Sequence, residues 1–157
     1  MQTGRTLLAT ALVAALALGT PTFAVDSHQH ATGEPGKLTL DHGVKWKTDQ
    51  PLRKGMGEIR KVLAAKLEGI HKSTLTAAEY QALGATIDTQ VATIVAECKL
   101  ERAADANLHL IVGELVSSAE TMQGKSANKP ATGAVRAVEA VNRYGQYFSD
   151  PGWKPLR

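Results

Sequence analysis

The sequence predicts an all-α protein, an antiparallel up-down-up-down bundle of four helices with a disordered N-terminal tail. Three observations carry that prediction. Between residues 48 and 149, apolar residues recur at spacings of three and four in four successive segments. No segment shows the apolar–polar alternation of a strand. Only 4% of the 157 residues are aromatic, so the core must be filled by Leu, Ile, Val and Ala, which suits packed helices better than a sandwich or barrel.

The first helix starts near Thr48 or Asp49, either of which can cap free backbone amides, and Pro51 is tolerated in a first turn because its missing N–H has no intrahelical partner. Leu52, Met56, Ile59, Leu63, Leu67 and Ile70 then line one face. Gly55 and Gly57 flank Met56. Each costs about 1 kcal/mol relative to Ala inside a helix, so either a neighbour packs closely there or the first turn frays. Thr76-Ala77-Ala78-Glu79 is a capping box that opens a second helix, with Tyr80, Leu83, Ile87, Val91, Ile94 and Cys98 on its apolar face. No Gly or Pro marks its end, which falls between Lys99 and Ala104. The third helix carries Leu108, Ile111, Leu115, Ala119 and Met122 and stops at Gly124, a residue suited to a left-handed cap. The fourth starts at Pro130 to Thr132, presents Ala134, Val138, Val141, Gly145 and Phe148, and is stopped by Asp150-Pro151-Gly152.

The flanks read differently. Residues 7–18 are an unbroken non-ionisable run of Leu, Ala, Val and one Thr after Arg5, shorter than the ~20 residues a spanning helix needs. With Gly19, Pro21 and the small residues Thr22 and Ala24 behind it, the run reads as a signal peptide over 1–24, which sends the chain to the periplasm without a membrane anchor after cleavage. Residues 25–47 form a flexible tail bearing His28, His30 and His42, residues 48–149 the bundle, and 150–157 a C-terminal tail. Removing Arg5 leaves 17 basic against 15 acidic residues, scattered and not gathered into a stripe, so nucleic acid is not an expected partner.

Antiparallel order brings the start of helix one, the end of helix two, the start of helix three and the end of helix four to one end. Met56, Cys98, Leu108, His109 and Gly145 therefore belong together, with Trp46 and Trp153 over them. His109 lies off the apolar stripe, and His71 belongs to the opposite end.

Three stretches resemble the soluble b-type cytochromes of the periplasm, the cytochrome b562-like family. Leu110-Ile111-Val112-Gly113-Glu114-Leu115 through Gly124-Lys125 is similar to that family's third helix. Arg53-Lys54-Gly55-Met56 resembles the position of its axial methionine, and Asn142-Arg143-Tyr144-Gly145-Gln146-Tyr147 the segment bearing its axial histidine. The resemblance spans roughly 49–148 and implies the bundle fold and the periplasm. It departs at the decisive place. Where the family has its histidine, this chain has Gly145, so Met/His ligation of a haem iron is not available there.

The expected function is accordingly that of an exported, non-enzymatic binding or interaction protein, with no cofactor required and its partner a protein or a metal ion. One alternative is transition-metal binding, copper first, through Met56, Cys98 and His109 with His28, His30 and His42 from the tail. Asp26-Ser27-His28 forms an amino-terminal copper chelate only if the mature chain begins at Asp26; cleavage after Ala24 makes His28 the fourth residue. A second alternative is a haem electron carrier, in which Met56 and a non-standard ligand hold the iron. One cysteine excludes an internal disulfide and covalent haem attachment. Asp41-His42 and Asp105 with His109 are carboxylate–imidazole pairs without a nucleophile beside them, and Ser117-Ser118 is read as facing solvent.

Overall fold

The structure is a computed structural model that describes residues 36–157. The expected signal peptide, His28 and His30 lie outside the described residues. Among the described residues five helices follow one another: α1 (Gln50–Ala65), α2 (Leu67–His71), α3 (Ala77–Glu97), α4 (Arg102–Met122) and α5 (Pro130–Tyr147). Among the described residues there is no strand, only two isolated bridges, and no helix long and apolar enough to cross a membrane.

The chain starts and stops these helices with the expected chemistry. Asp49 caps α1, its carboxylate accepting from the Leu52 amide at 2.9 Å, with Pro51 in the first turn. At α3 the capping box is complete: the Thr76 hydroxyl accepts from the Glu79 amide and the Glu79 carboxylate accepts from the Thr76 amide. α3 ends at Cys98 and α4 opens after Glu101. Gly124, with φ of +76°, follows α4 in the left-handed conformation that glycine adopts without steric cost.

Two features depart from the sequence reading of the first segment. The single helix expected from Leu52 to Ile70 is broken at Lys66, which leaves the helical region (φ −116°, ψ 9°), and α2 follows as a short separate helix. Apolar spacing cannot register one non-helical residue, because Ile70 is buried on either path. The break and the left-handed Ser73 (φ +52°) return the chain to the Thr76 cap, with Gly69 packed against Leu75. The two glycines beside Met56 also differ. Gly55 faces Ile94 of α3 so closely that a Cβ would overlap its side chain, whereas Gly57 faces open space.

The core is aliphatic: Leu52, Met56, Ile59 and Leu63 of α1, Ile87 and Ile94 of α3, Ile111 and Leu115 of α4 and Val141 of α5 are essentially inaccessible. Each such side chain contributes about 1.5–3 kcal/mol by leaving water. α4 packs against both α3 and α5, and α1 packs against α3. Two glycines let α4 come close to its neighbours. A Cβ at Gly84 would stand 2.8 Å from the Ala119 carbonyl oxygen, and one at Gly133 would stand 2.7 Å from that of Ser118. This approach corrects the reading of Ser118 as solvent-facing: it is fully buried under α5.

The flanks are also corrected. From Gly36 onward the expected free tail is tied to the helices. Trp46 is buried, its indole N–H donates to the Thr39 carbonyl at 2.7 Å, and the Thr39 amide donates to the Asn107 side chain at 2.8 Å. Trp46 also exchanges backbone hydrogen bonds with Tyr147 and Ser149. Residues 150–157 are tied down too: Leu156 is buried and makes two hydrogen bonds to the Asn142 side chain, at 2.8 and 2.9 Å.

Candidate functional site at the aromatic end of the helices

The start of α1, the end of α3, the start of α4 and the end of α5 meet through specific contacts. The Asp49 carboxylate, already capping α1, accepts from the Lys99 amide at 2.7 Å and from the Cys98 thiol at 3.4 Å. The Thr48 hydroxyl donates to the Ser149 carbonyl, and Asn107 of α4 holds Thr39 of the incoming chain. One side chain at the start of α1 thus joins the α3–α4 connection to its own helix. It does so because a carboxylate offers more acceptor sites than one cap consumes.

Aromatic rings fill this end. Tyr144 is fully buried, lies nearly parallel to Phe148 (centroids 5.4 Å apart) and meets Trp153 edge-on at 4.7 Å. The α5 stripe accordingly runs through Tyr144, one residue before the Gly145 that spacing alone selects. Tyr144 donates its hydroxyl hydrogen bond to Asp150 at 3.0 Å. Burial, reinforced by the Asp150 charge and hydrogen bond, pushes the phenol far above its ordinary range, so it stays protonated. Trp153 lies against Gly145, and a Cβ at that position would run into the Cδ1–Nε1 side of the indole ring. The Arg60 guanidinium covers the same ring at 5.9 Å, and its Nε donates to the Lys154 carbonyl. Beside this strap lies an open pocket of about 240 Å³, lined by Arg53, Gly57, Arg60 and residues 150–154.

The expected ligand set is not assembled around one point. Met56 is fully buried. Cys98 is half-buried; burial first, then the hydrogen bond to Asp49, push its thiol up to about 12, so it is a protonated donor and not a thiolate. For Asp49 burial works upward, but the amides of Lys99 and Leu52 and the Cys98 thiol outweigh it and hold the carboxyl below its ordinary value. His109 stands at this end but points outward, its side chain 64% exposed and its Nδ1 2.9 Å from the Asp105 carbonyl oxygen. His42 is 93% exposed in a tight Asp41–Val44 turn, where it takes φ +49° beside Asp41. His28 and His30 lie outside the described residues. Among the described residues, no three His, Cys, Asp or Glu side chains gather as a metal ion would require.

The structure adds residues that spacing did not single out. Asn107 interrupts an apolar stripe, a signal visible in the sequence but attributable to any buried polar contact. Trp153 was placed over this end, yet its seat on Gly145 follows only from the path of residues 149–157. Compared with family models, with curated proteins and with solved structures, the chain matches none.

Proposed function

We propose that this chain is an exported, non-enzymatic binding or interaction protein, built as an antiparallel up-down-up-down bundle like that of the soluble b-type cytochromes but without their haem ligation. The observation that carries this reading is the Trp153 indole lying against Gly145. Position 145 is where the resemblance calls for an imidazole. Here it has no side chain to donate, and the adjoining space is taken by the chain's own ring, clamped by Tyr144 and Arg60. Met56 alone is a buried core side chain, a role methionine fills in most proteins. The residues present do not fit Met/His ligation.

Antiparallel order is supported by the hydrogen bonds that join the start of α1 to the α3–α4 connection, and by the Lys66–Glu79 ion pair (2.7 Å) that joins the end of α1 to the start of α3. At this end the Tyr144 phenol and the Cys98 thiol stay protonated, and the Asp49 and Asp150 carboxylates each accept hydrogen bonds from the fold. Copper held by Met56, Cys98 and His109 has less support, because the thiol is tied to a carboxylate and the imidazole faces away.

Absorption spectra of the purified protein, oxidised and reduced, test the reading. The expected result is no Soret band in the native protein and, after hemin is added to the Gly145→His variant, only the broad spectrum of free hemin, because the new side chain collides with Trp153. A stoichiometric haem spectrum from the native protein would overturn it.

A further inference from the structure

On another face of the molecule, α4, α5 and residues 36–38 enclose a groove of about 530 Å³. That is within the range of small-molecule sites, roughly 300–1,000 Å³. Its walls divide into two kinds. Leu38, Leu110 and Tyr147 supply apolar and aromatic surface, while Lys37 and Arg143 supply positive charge. Arg143 and Tyr147 stand four residues apart on α5 and so share one side of that helix.

Two features of the groove lack a structural explanation within the fold. The first is Arg143. Its Nε is buried and has no hydrogen-bond partner among the described residues, and its Nη2 stops 3.9 Å from Glu114, beyond hydrogen-bond reach. Glu114 instead accepts from Arg136 at 2.7 Å, so the one carboxylate lining the groove is already engaged. His109, at the margin, turns to Asp105. A buried guanidinium donor without an acceptor is destabilising, and native proteins leave few of them.

The second is Gly113, near the middle of α4. Gly84 and Gly133 are required by the backbones packed on them, but a Cβ at Gly113 would meet nothing within 4 Å. A helix-interior glycine is costly relative to alanine, and among the described residues no neighbouring group requires it. What its lack of a side chain does provide is open space in the groove wall beside Arg143 and Glu114.

We propose that this groove binds a small organic anion, a single oxyanion on an apolar body. The anion would meet the exposed part of the Arg143 guanidinium, whose side chain is 42% accessible, and the charge of Lys37, and the apolar body would lie against Leu38, Leu110 and Tyr147 across the opening at Gly113. Guanidinium is the donor best matched to such an oxyanion, and the apolar wall selects against small hydrated ions. The proposal deepens the reading of the chain as a binding protein that takes no haem, and rests on it.

The probe is 1-anilinonaphthalene-8-sulfonate, an apolar body with one sulfonate, titrated into the protein by fluorescence and calorimetry. Its uncharged counterpart, N-phenyl-1-naphthylamine, is run in parallel. The expected result is one saturable site per chain for the sulfonate and at least ten-fold weaker binding of the neutral probe. Arg143→Gln weakens the sulfonate at least ten-fold, and Gly113→Leu, whose side chain projects into the groove, abolishes the site. Gly113→Leu also removes a helix glycine at an open position, so it unfolds no more easily than the parent and keeps the test meaningful if Arg143→Gln proves unstable. Equal binding of the two probes, absence of a saturable site, or binding unchanged by Gly113→Leu would each overturn the proposal. Failure of the underlying reading shows separately, as a haem spectrum recorded before any probe is added.

Discussion

Asp49 is the residue on which the most local structure depends. Its carboxylate satisfies the Leu52 amide of α1, the Lys99 amide after α3 and the Cys98 thiol. Burial first, then that contact, push the thiol's ionisation up to about 12, so almost no thiolate exists near neutrality. Alkylation of Cys98 by iodoacetamide at pH 8 is therefore expected to run more than about ten-fold slower than that of a solvent-exposed cysteine, since the thiolate is the nucleophile. Asp49→Asn removes the adjacent negative charge and should accelerate it, and unfolding in urea should restore the ordinary rate. Native Cys98 reacting as fast as the unfolded chain would contradict the geometry. A cap at Thr48 or Asp49 was legible in the sequence because capping is a contact between near neighbours, and the structure selects Asp49. Its second partner was not, because Lys99 lies 50 residues away.

Helix starts and stops form the next level. Thr76 and Glu79 close the α3 capping box, and Lys66 from the end of α1 adds an ion pair to the same carboxylate. The Lys66 hydrogen bond first, then the Thr76 amide and hydroxyl, lower the Glu79 carboxyl from 4.5 to about 2. The unfolded chain takes up this proton near pH 4.5, whereas the folded chain resists until about pH 2. The stability Glu79 contributes is thus complete above pH 4.5 and drains away as the pH falls through that window. Urea midpoints measured between pH 6 and pH 2.5 should fall less steeply for Glu79→Gln than for the parent, and start lower at pH 6. Identical slopes would show that the Lys66–Glu79 link carries no folding free energy. Here too the box was readable from Thr-x-x-Glu, but the break at Lys66 was not. Buried positions recur at the same spacing on both sides of it, so periodicity alone draws one helix where there are two.

At the scale of the whole molecule, residues 36–47 and 150–157, which composition marks as parts of tails, are structural. Trp46 ties the incoming chain to the end of α5, and Trp153 and Leu156 tie the outgoing chain back over it. Trp153→Ala would uncover Gly145 and one edge of Tyr144 and leave Arg60 without its aromatic partner. Large-to-small changes of a buried aromatic cost about 3–5 kcal/mol; for a half-buried ring, about 2–3 kcal/mol of lost unfolding free energy is expected in urea titrations. A loss below about 0.5 kcal/mol, the usual effect of a surface substitution, would mean that the strap does not hold this end together.

By itself the sequence determined the all-helical class, a cap at Thr48 or Asp49 and another at Thr76, the aliphatic faces and the missing side chain at position 145. Those are properties of residues and of their neighbours within a turn or two, where spacing and hydrogen-bonding capacity act directly. Only the tertiary structure decided that Trp153 lies on Gly145, that Asn107 holds the incoming chain, that Ser118 lies under α5, and that Arg143 keeps an unpaired donor in a groove beside Gly113. Each depends on where separate helices and the segments beyond them come to rest. Local periodicity carries no information about the space left between them.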